Sequence, residues 1–353
     1  MPGTVRTGCC GRPTARFLPG DHPLKPCCPG RCRVAPQPSP ARAPAQPLPA
    51  PPTGPVDSVE PVSALRWHHR PKLRRPVLVA AFEGWNDAGD AASSAARWLA
   101  DRHEAEHVAT IDAEDFFDFT TTRPMIAMGA DGKRHLSWPD TELWAAPTSA
   151  GTDLVVLVGH EPHLRWRTYC AAVLEAAEAL ECSLVLTLGA LLSDVPHSRP
   201  TAVSGTADDP ELVERLHLVR SSYEGPTGIV GVLHATCSQA GQPSASLWAS
   251  VPTYVSGAPS PKATLALVER SMAALGLSLP TTDLEIATAA YERQIDELVA
   301  DDDDTAAYVH GLEEAADDEP SILDDEDDDD LEALAASDPA ELVEEVERFL
   351  RGD

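Results

Sequence analysis

Six consecutive apolar residues, Val77-Leu78-Val79-Ala80-Ala81-Phe82, break off at the polar cluster Glu83-Gly84-Trp85-Asn86-Asp87-Ala88-Gly89. The same transition recurs twice. Leu154–Gly159 runs into His160-Glu161-Pro162, and Leu184–Gly189 leads through residues 190–194 to Val195-Pro196-His197-Ser198-Arg199-Pro200. Runs of this length are too short for helices, and unbroken apolarity suits strands buried on both faces. Helical patterns alternate with them. Ala88–His103 follows Asp87, a residue able to cap it, and Lys262–Leu275 is opened by Pro261. His163–Leu180 carries Leu164, Tyr169, Ala172, Val173, Ala176 and Leu180 near one stripe. Strands alternating with helices predict an α/β fold, with a mostly parallel central sheet and helices on both faces. Ligands of open α/β sheets bind outside the carboxyl ends of the strands, which is where these polar clusters fall.

The remaining text supplies further elements. His107–Ile111, Ser183–Leu188, Ile229–His234 and Ser246–Val251 read as strands, and Pro210–Leu218 as a short helix. Met125–Met128 and Arg134–Trp138 flank Asp131-Gly132, a favoured tight-turn pair, and predict a hairpin. A fourth polar cluster, Ser222-Tyr223-Glu224-Gly225-Pro226-Thr227-Gly228, precedes the apolar run at Ile229.

Composition divides the 353 residues into three unlike parts. Residues 1–60 hold 15 of the 33 prolines and show no helical or strand period, so they predict a disordered extension or a mis-assigned start. Residues 74–300 read as the α/β domain. Residues 301–353 form an acidic, partly helical tail, with a solvated run at Asp324–Asp330 and a final amphipathic helix that begins at Asp338-Pro339. That last helix suits docking to a partner equally with packing on its own domain or a sister subunit. Most of the net charge of −29 therefore belongs to the tail. No basic stripe interrupts the body, which argues against nucleic acid as a partner. No apolar stretch approaches the ~20 residues that span a bilayer, and no apolar signal segment opens the chain. A cytoplasmic protein is expected. Cys9, Cys10, Cys27, Cys28 and Cys32 lack zinc or redox spacing, while Cys170, Cys182 and Cys237 read as small buried residues.

None of the clusters carries a complete catalytic set. The turn at Gly84–Gly89 has neither the glycine spacing of a dinucleotide site nor the Lys-Ser/Thr of a P-loop. Glu83, Asp87 and Asp90 place negative charge where a phosphate would sit. Its bland reading is a tight turn in which Asp87 caps the following helix and Trp85 seals the sheet edge. The histidines of His160-Glu161-Pro162-His163 stand three apart, unlike a metalloprotease pair, so no metal is expected. His197 and Arg199 suit a bound carboxylate or phosphate, and suit ordinary loop anchoring equally. Gly225-Pro226 would hold Tyr223 and Glu224 at a turn. A Gly-x-Ser-x-Gly elbow is absent from the sequence. The candidate pocket comprises Glu83, Trp85, Asn86, Asp87, His160, Glu161, His197, Arg199, Tyr223 and Glu224, with no cofactor implied.

The ordered succession of these clusters, continued by Val251-Pro252-Thr253-Tyr254-Val255 and Pro261-Lys262-Ala263, resembles the PAC2 family, and in particular its actinobacterial members. The resemblance covers residues 74–315. It implies a phosphorylase/hydrolase-like α/β fold, self-association, and kinship with proteasome assembly chaperones, which are not enzymes. It supplies no settled catalytic residues. The hydrophobic-Tyr-any residue tail by which archaeal relatives engage proteasomes is not matched by Leu350-Arg351-Gly352-Asp353. The expected function is therefore a non-enzymatic, homo-oligomeric assembly chaperone or scaffold with a proteasome-related protein partner. The alternative is a small-molecule enzyme or binder of hydrolase or nucleoside-phosphorylase type. That alternative requires Glu83, His160, His197, Arg199 and Glu224 to line one pocket.

Overall fold

Val77, Val79 and Ala81 point to one side of the sheet and Leu78, Ala80 and Phe82 to the other, as the two-residue period of a strand dictates. Both sides are apolar because both are covered. This strand, β2 (Val77–Glu83), lies at the centre of a computed structural model that describes residues 64–318. All of these fall within one compact unit. The expectations for residues 1–60, the five N-terminal cysteines, Asp324–Asp330 and the last helix lie outside the described residues.

Three more buried strands run parallel to β2, in the order β7 (Leu154–His160), β2, β8 (Leu184–Ser193), β10 (Ser244–Pro252). Antiparallel strands extend this parallel centre on both flanks. On the β7 side lie β6 (Thr141–Ala146), β3 (Glu106–Ile111) and β1 (Leu65–Trp67), and beyond β10 lies β9 (Val203–Ala207). The strands β1, β6 and β9 are short or partly polar, so they gave no periodic signal. The helices α1 (Ala91–Arg102) and α5 (Pro261–Leu275) cover one face, while α2 (Trp166–Ala179) and α4 (Ile229–Ala240) cover the other. A short α3 (Pro210–Leu216) follows β9, and α6 (Thr282–Ala300) and α7 (Asp303–Asp318) end the described chain.

The expected hairpin forms from β4 (Met125–Met128) and β5 (Arg134–Ser137), and Gly132 takes the φ of +75° that its turn requires. The two strands make a sheet of their own, separate from the central one.

The segment Ile229–His234, read as a strand, is instead the start of α4. Its β-branched residues match strand propensity, but Ile229, Val230, Leu233 and Cys237 are buried at helical spacing against β2 and α2. Tertiary packing decides the contest, as it commonly does for propensity. Two smaller corrections follow. Helix α2 starts at Trp166, after a bend at His163–Leu164 and a left-handed Arg165 (φ 54°), and Leu164 is exposed and off the stripe. Trp85 does not seal the sheet edge, being 71% exposed.

Candidate functional site

The carboxyl ends of the parallel strands β2 and β8 open onto a cavity of about 930 Å³. The 84–90 turn forms one wall, and Ser221, Tyr223 and Pro226–Gly228 form another. The floor carries Ser246 and Trp248 of β10, Ser204 and Thr206 of β9, and His234 of α4. Trp248 can lie across β8 because Gly189 has no Cβ, which would stand 2.5 Å from the indole ring. Leu191, Leu192, Trp85 and Tyr223 form a solvent-exposed apolar rim. The residues from β9, α4 and β10 were missed in the sequence, where each is a lone side chain in an otherwise ordinary element.

Carboxylates of the chain already take N–H groups at both helix N-termini beside this cavity. Oδ1 of Asp87 accepts from the N–H groups of Ala92 (2.7 Å) and Ser93 (3.2 Å), closing the start of α1. Oε1 of Glu161 accepts from Ile229 N–H (2.8 Å), the first residue of α4, and from Nδ2 of the buried Asn86 (2.9 Å). Asn86 and Glu161 thereby tie the β2–α1 turn to α4. Burial pushes the Asp87 carboxyl above its ordinary range, and its Oδ2 is buried without a hydrogen-bond partner.

Glu83 and His160 face the other way. They stand opposite each other in the β2–β7 register, with Oε2 of Glu83 and Nδ1 of His160 2.7 Å apart. Arg97 of α1 holds the second Glu83 oxygen. The His160 hydrogen bond, with Arg97 adding to it against the opposing effect of burial, brings the Glu83 carboxyl down to about 2. This pair lines a separate groove of about 490 Å³ together with Asp101, Glu104, Asp140 and Glu142.

His197 and Arg199 belong to a third place, beneath the C-terminal helices. His197 is buried, with Nδ1 2.8 Å from the Tyr254 hydroxyl and Nε2 3.0 Å from Oδ1 of Asp296 on α6. An ionised carboxylate only accepts, so Nε2–H donates to Asp296 and Nδ1 accepts from Tyr254. Burial pushes the Tyr254 phenol up to about 12, keeping that donor protonated. Nζ of Lys262 donates to the His197 carbonyl (2.6 Å) and to Glu292 (2.5 Å). Arg199 makes a two-pronged pair with Asp317 of α7, both contacts 2.7 Å, and Ser198 donates to Glu313. The structure thus distributes the candidate residues. Trp85, Asn86, Asp87 and Tyr223 line the large cavity, with Glu161 behind Asn86 and Glu224 exposed beside Tyr223. Glu83 and His160 share the acidic groove, and His197 and Arg199 latch α6 and α7.

The three described cysteines are buried, and burial pushes Cys170 and Cys237 up to about 11 and Cys182 to about 12, so they remain thiols.

The family model of the PAC2 family matches residues 81–299, which include all ten candidate residues. The chain belongs to the PAC2 family. A PAC2 family protein of Streptomyces avermitilis is 45% identical, with a TM-score of 0.63 over 66% of this chain and 99% of that one. A Mycobacterium tuberculosis proteasome-assembly chaperone homologue is 43% identical, with a TM-score of 0.61 and the same coverage. An archaeal proteasome activator of Pyrococcus furiosus, at 16% identity and a TM-score of 0.56, shares the fold. No curated protein matches the chain. The PAC2 match begins inside β2 and ends at the last turn of α6, so it includes the contacts of His197 with Tyr254 and Asp296 but not α7, which carries Glu313 and Asp317.

Proposed function

We propose that this PAC2 protein is a non-enzymatic assembly chaperone or scaffold of the cytoplasm, self-associating and acting on a proteasome-related protein partner. The observation that carries this reading is the β4–β5 hairpin. All eight of its strand residues are exposed, among them Met125 (67%), Ile126 (63%), Met128 (66%) and Leu136. An isolated two-stranded hairpin is marginal in water, and contiguous exposed apolar side chains of this size mark interaction surfaces. Two of the chain's four methionines sit here, and methionine adapts its shape to a partner. The similarity to the mycobacterial chaperone homologue supports the class of partner. Glu83 with His160, and His197 with Arg199, occupy separate places, which weighs against an enzyme built from all of them. Among the described residues, no helix is long and apolar enough to cross a membrane.

The test is tagged full-length protein isolated from native cells, beside a Met125→Asp/Ile126→Asp double variant. The wild type is expected to bring down a stoichiometric complex that includes proteasome subunits, and to run larger than the variant by light scattering. Equal mass and equal yield of partners for both proteins would defeat the role of the hairpin. Purification without any stoichiometric partner would defeat the chaperone reading.

A further inference from the structure

The large cavity has its own chemistry, separate from the hairpin. Its volume of about 930 Å³ lies within the range of small-molecule sites, and its mix of aromatic wall and few polar groups is typical of them. Its charge is one-sided. Asp87 and Asp90 line it, and among the described residues none that lines it is Lys or Arg. The one basic side chain there, His234, is engaged by Ser244 (3.0 Å) and Asp208 (3.3 Å). An anion would need helix N-terminal donors, but Asp87 already takes Ala92 and Ser93, and Glu161 takes Ile229. Oδ2 of the buried Asp87, unpaired among the described residues, and the exposed Asp90 keep this edge acidic. Trp85, Tyr223 and Trp248 present ring surfaces to the same space, suited to an aromatic body and to a cation over its face.

We propose that this cavity binds a small aromatic molecule carrying an ammonium group, with the ring among Trp85, Tyr223 and Trp248 and the charge toward the Asp87–Asp90 edge. The site selects against carboxylates and phosphates of the same size.

The experiment uses the full chain, with calorimetric titration and thermal unfolding in the presence of tryptamine, indole-3-acetate or inorganic phosphate. Tryptamine is expected to bind and to raise the unfolding temperature by mass action. Indole-3-acetate is expected to bind at least about tenfold more weakly, and phosphate to give no heat, because the nearby charges repel anions. Asp90→Asn, an exposed site, should weaken tryptamine and narrow the gap to indole-3-acetate. Thr206→Trp should fill the floor and abolish binding. No tryptamine binding, binding of both indoles with equal affinity, or binding unchanged by Asp90→Asn would each overturn the proposal. So would binding that persists in a folded Thr206→Trp protein. If Thr206→Trp fails to fold, the charge comparison and Asp90→Asn decide.

Discussion

Nδ1 of His160 lies 2.7 Å from Oε2 of Glu83, and the two residues are register partners at the carboxyl ends of β7 and β2. With Arg97 on the other oxygen, the Glu83 carboxyl is held near 2, well below its ordinary value of 4.5. A carboxylate depressed in the folded state contributes stability that is full above its unfolded pKa and lost as pH falls through the folded one. Denaturant unfolding should therefore show stability declining as pH drops from about 4.5 toward 2. Glu83→Gln should cost on the order of 1–3 kcal/mol at pH 7 and flatten that acid limb. An acid limb unchanged in Glu83→Gln would show that the pair does not carry it.

Glu161→Ala should loosen the start of α4. The change removes the acceptor of both Ile229 N–H and Asn86 Nδ2, leaving the buried amide of Asn86 unpaired. Each orphaned group costs about 1–3 kcal/mol. Hydrogen exchange at Ile229 should accelerate more than exchange in β8. Uniform acceleration across the protein would point to global destabilisation instead.

Asp87→Ala should destabilise by roughly 0.5–2 kcal/mol, the usual range for a lost helix cap. Its Oδ1 serves Ala92 and Ser93 from outside the helix, five and six residues away. Ser93 should lose amide protection ahead of Leu99, about two turns further into the helix, a difference readable by hydrogen exchange.

His197→Ala should release α6 and α7 without unfolding the sheet. The imidazole is buried and spans Tyr254 and Asp296, whereas Arg199 and Asp317 form an exposed pair that water screens and that contributes little. Limited trypsin digestion should cut after Arg293 faster in His197→Ala, and nearly at the wild-type rate in Arg199→Ala. Equal resistance of all three proteins would remove His197 from the latch.

Much of the fold was legible because its cause is local. Val77–Phe82 and Leu154–Gly159 read as doubly buried strands from unbroken apolarity, and Asp131-Gly132 marked the hairpin by turn geometry. The segment Ile229–His234 misled because β-branched residues in a short run suit either element, and only the neighbours across α2 and β2 choose helix. The fourth cluster, Ser222–Gly228, accordingly feeds a helix N-terminus. It still reaches the cavity, through Tyr223 and Gly228.

By itself, the sequence determined the α/β architecture, the polar breaks at strand ends and the membership in the PAC2 family, since these follow from periodicity and residue order along the chain. The grouping of those breaks was decided only in three dimensions. The chain turns sharply after the end of β2, where Gly84 takes a φ of +121°, so Glu83 meets His160 and Arg97 in one groove while Asn86, three residues on, meets Glu161 beside another. His197 looked like a ligand-binding residue and became a latch because α6 and α7 supply, from 99 to 118 residues later in the chain, the carboxylates that close over its loop.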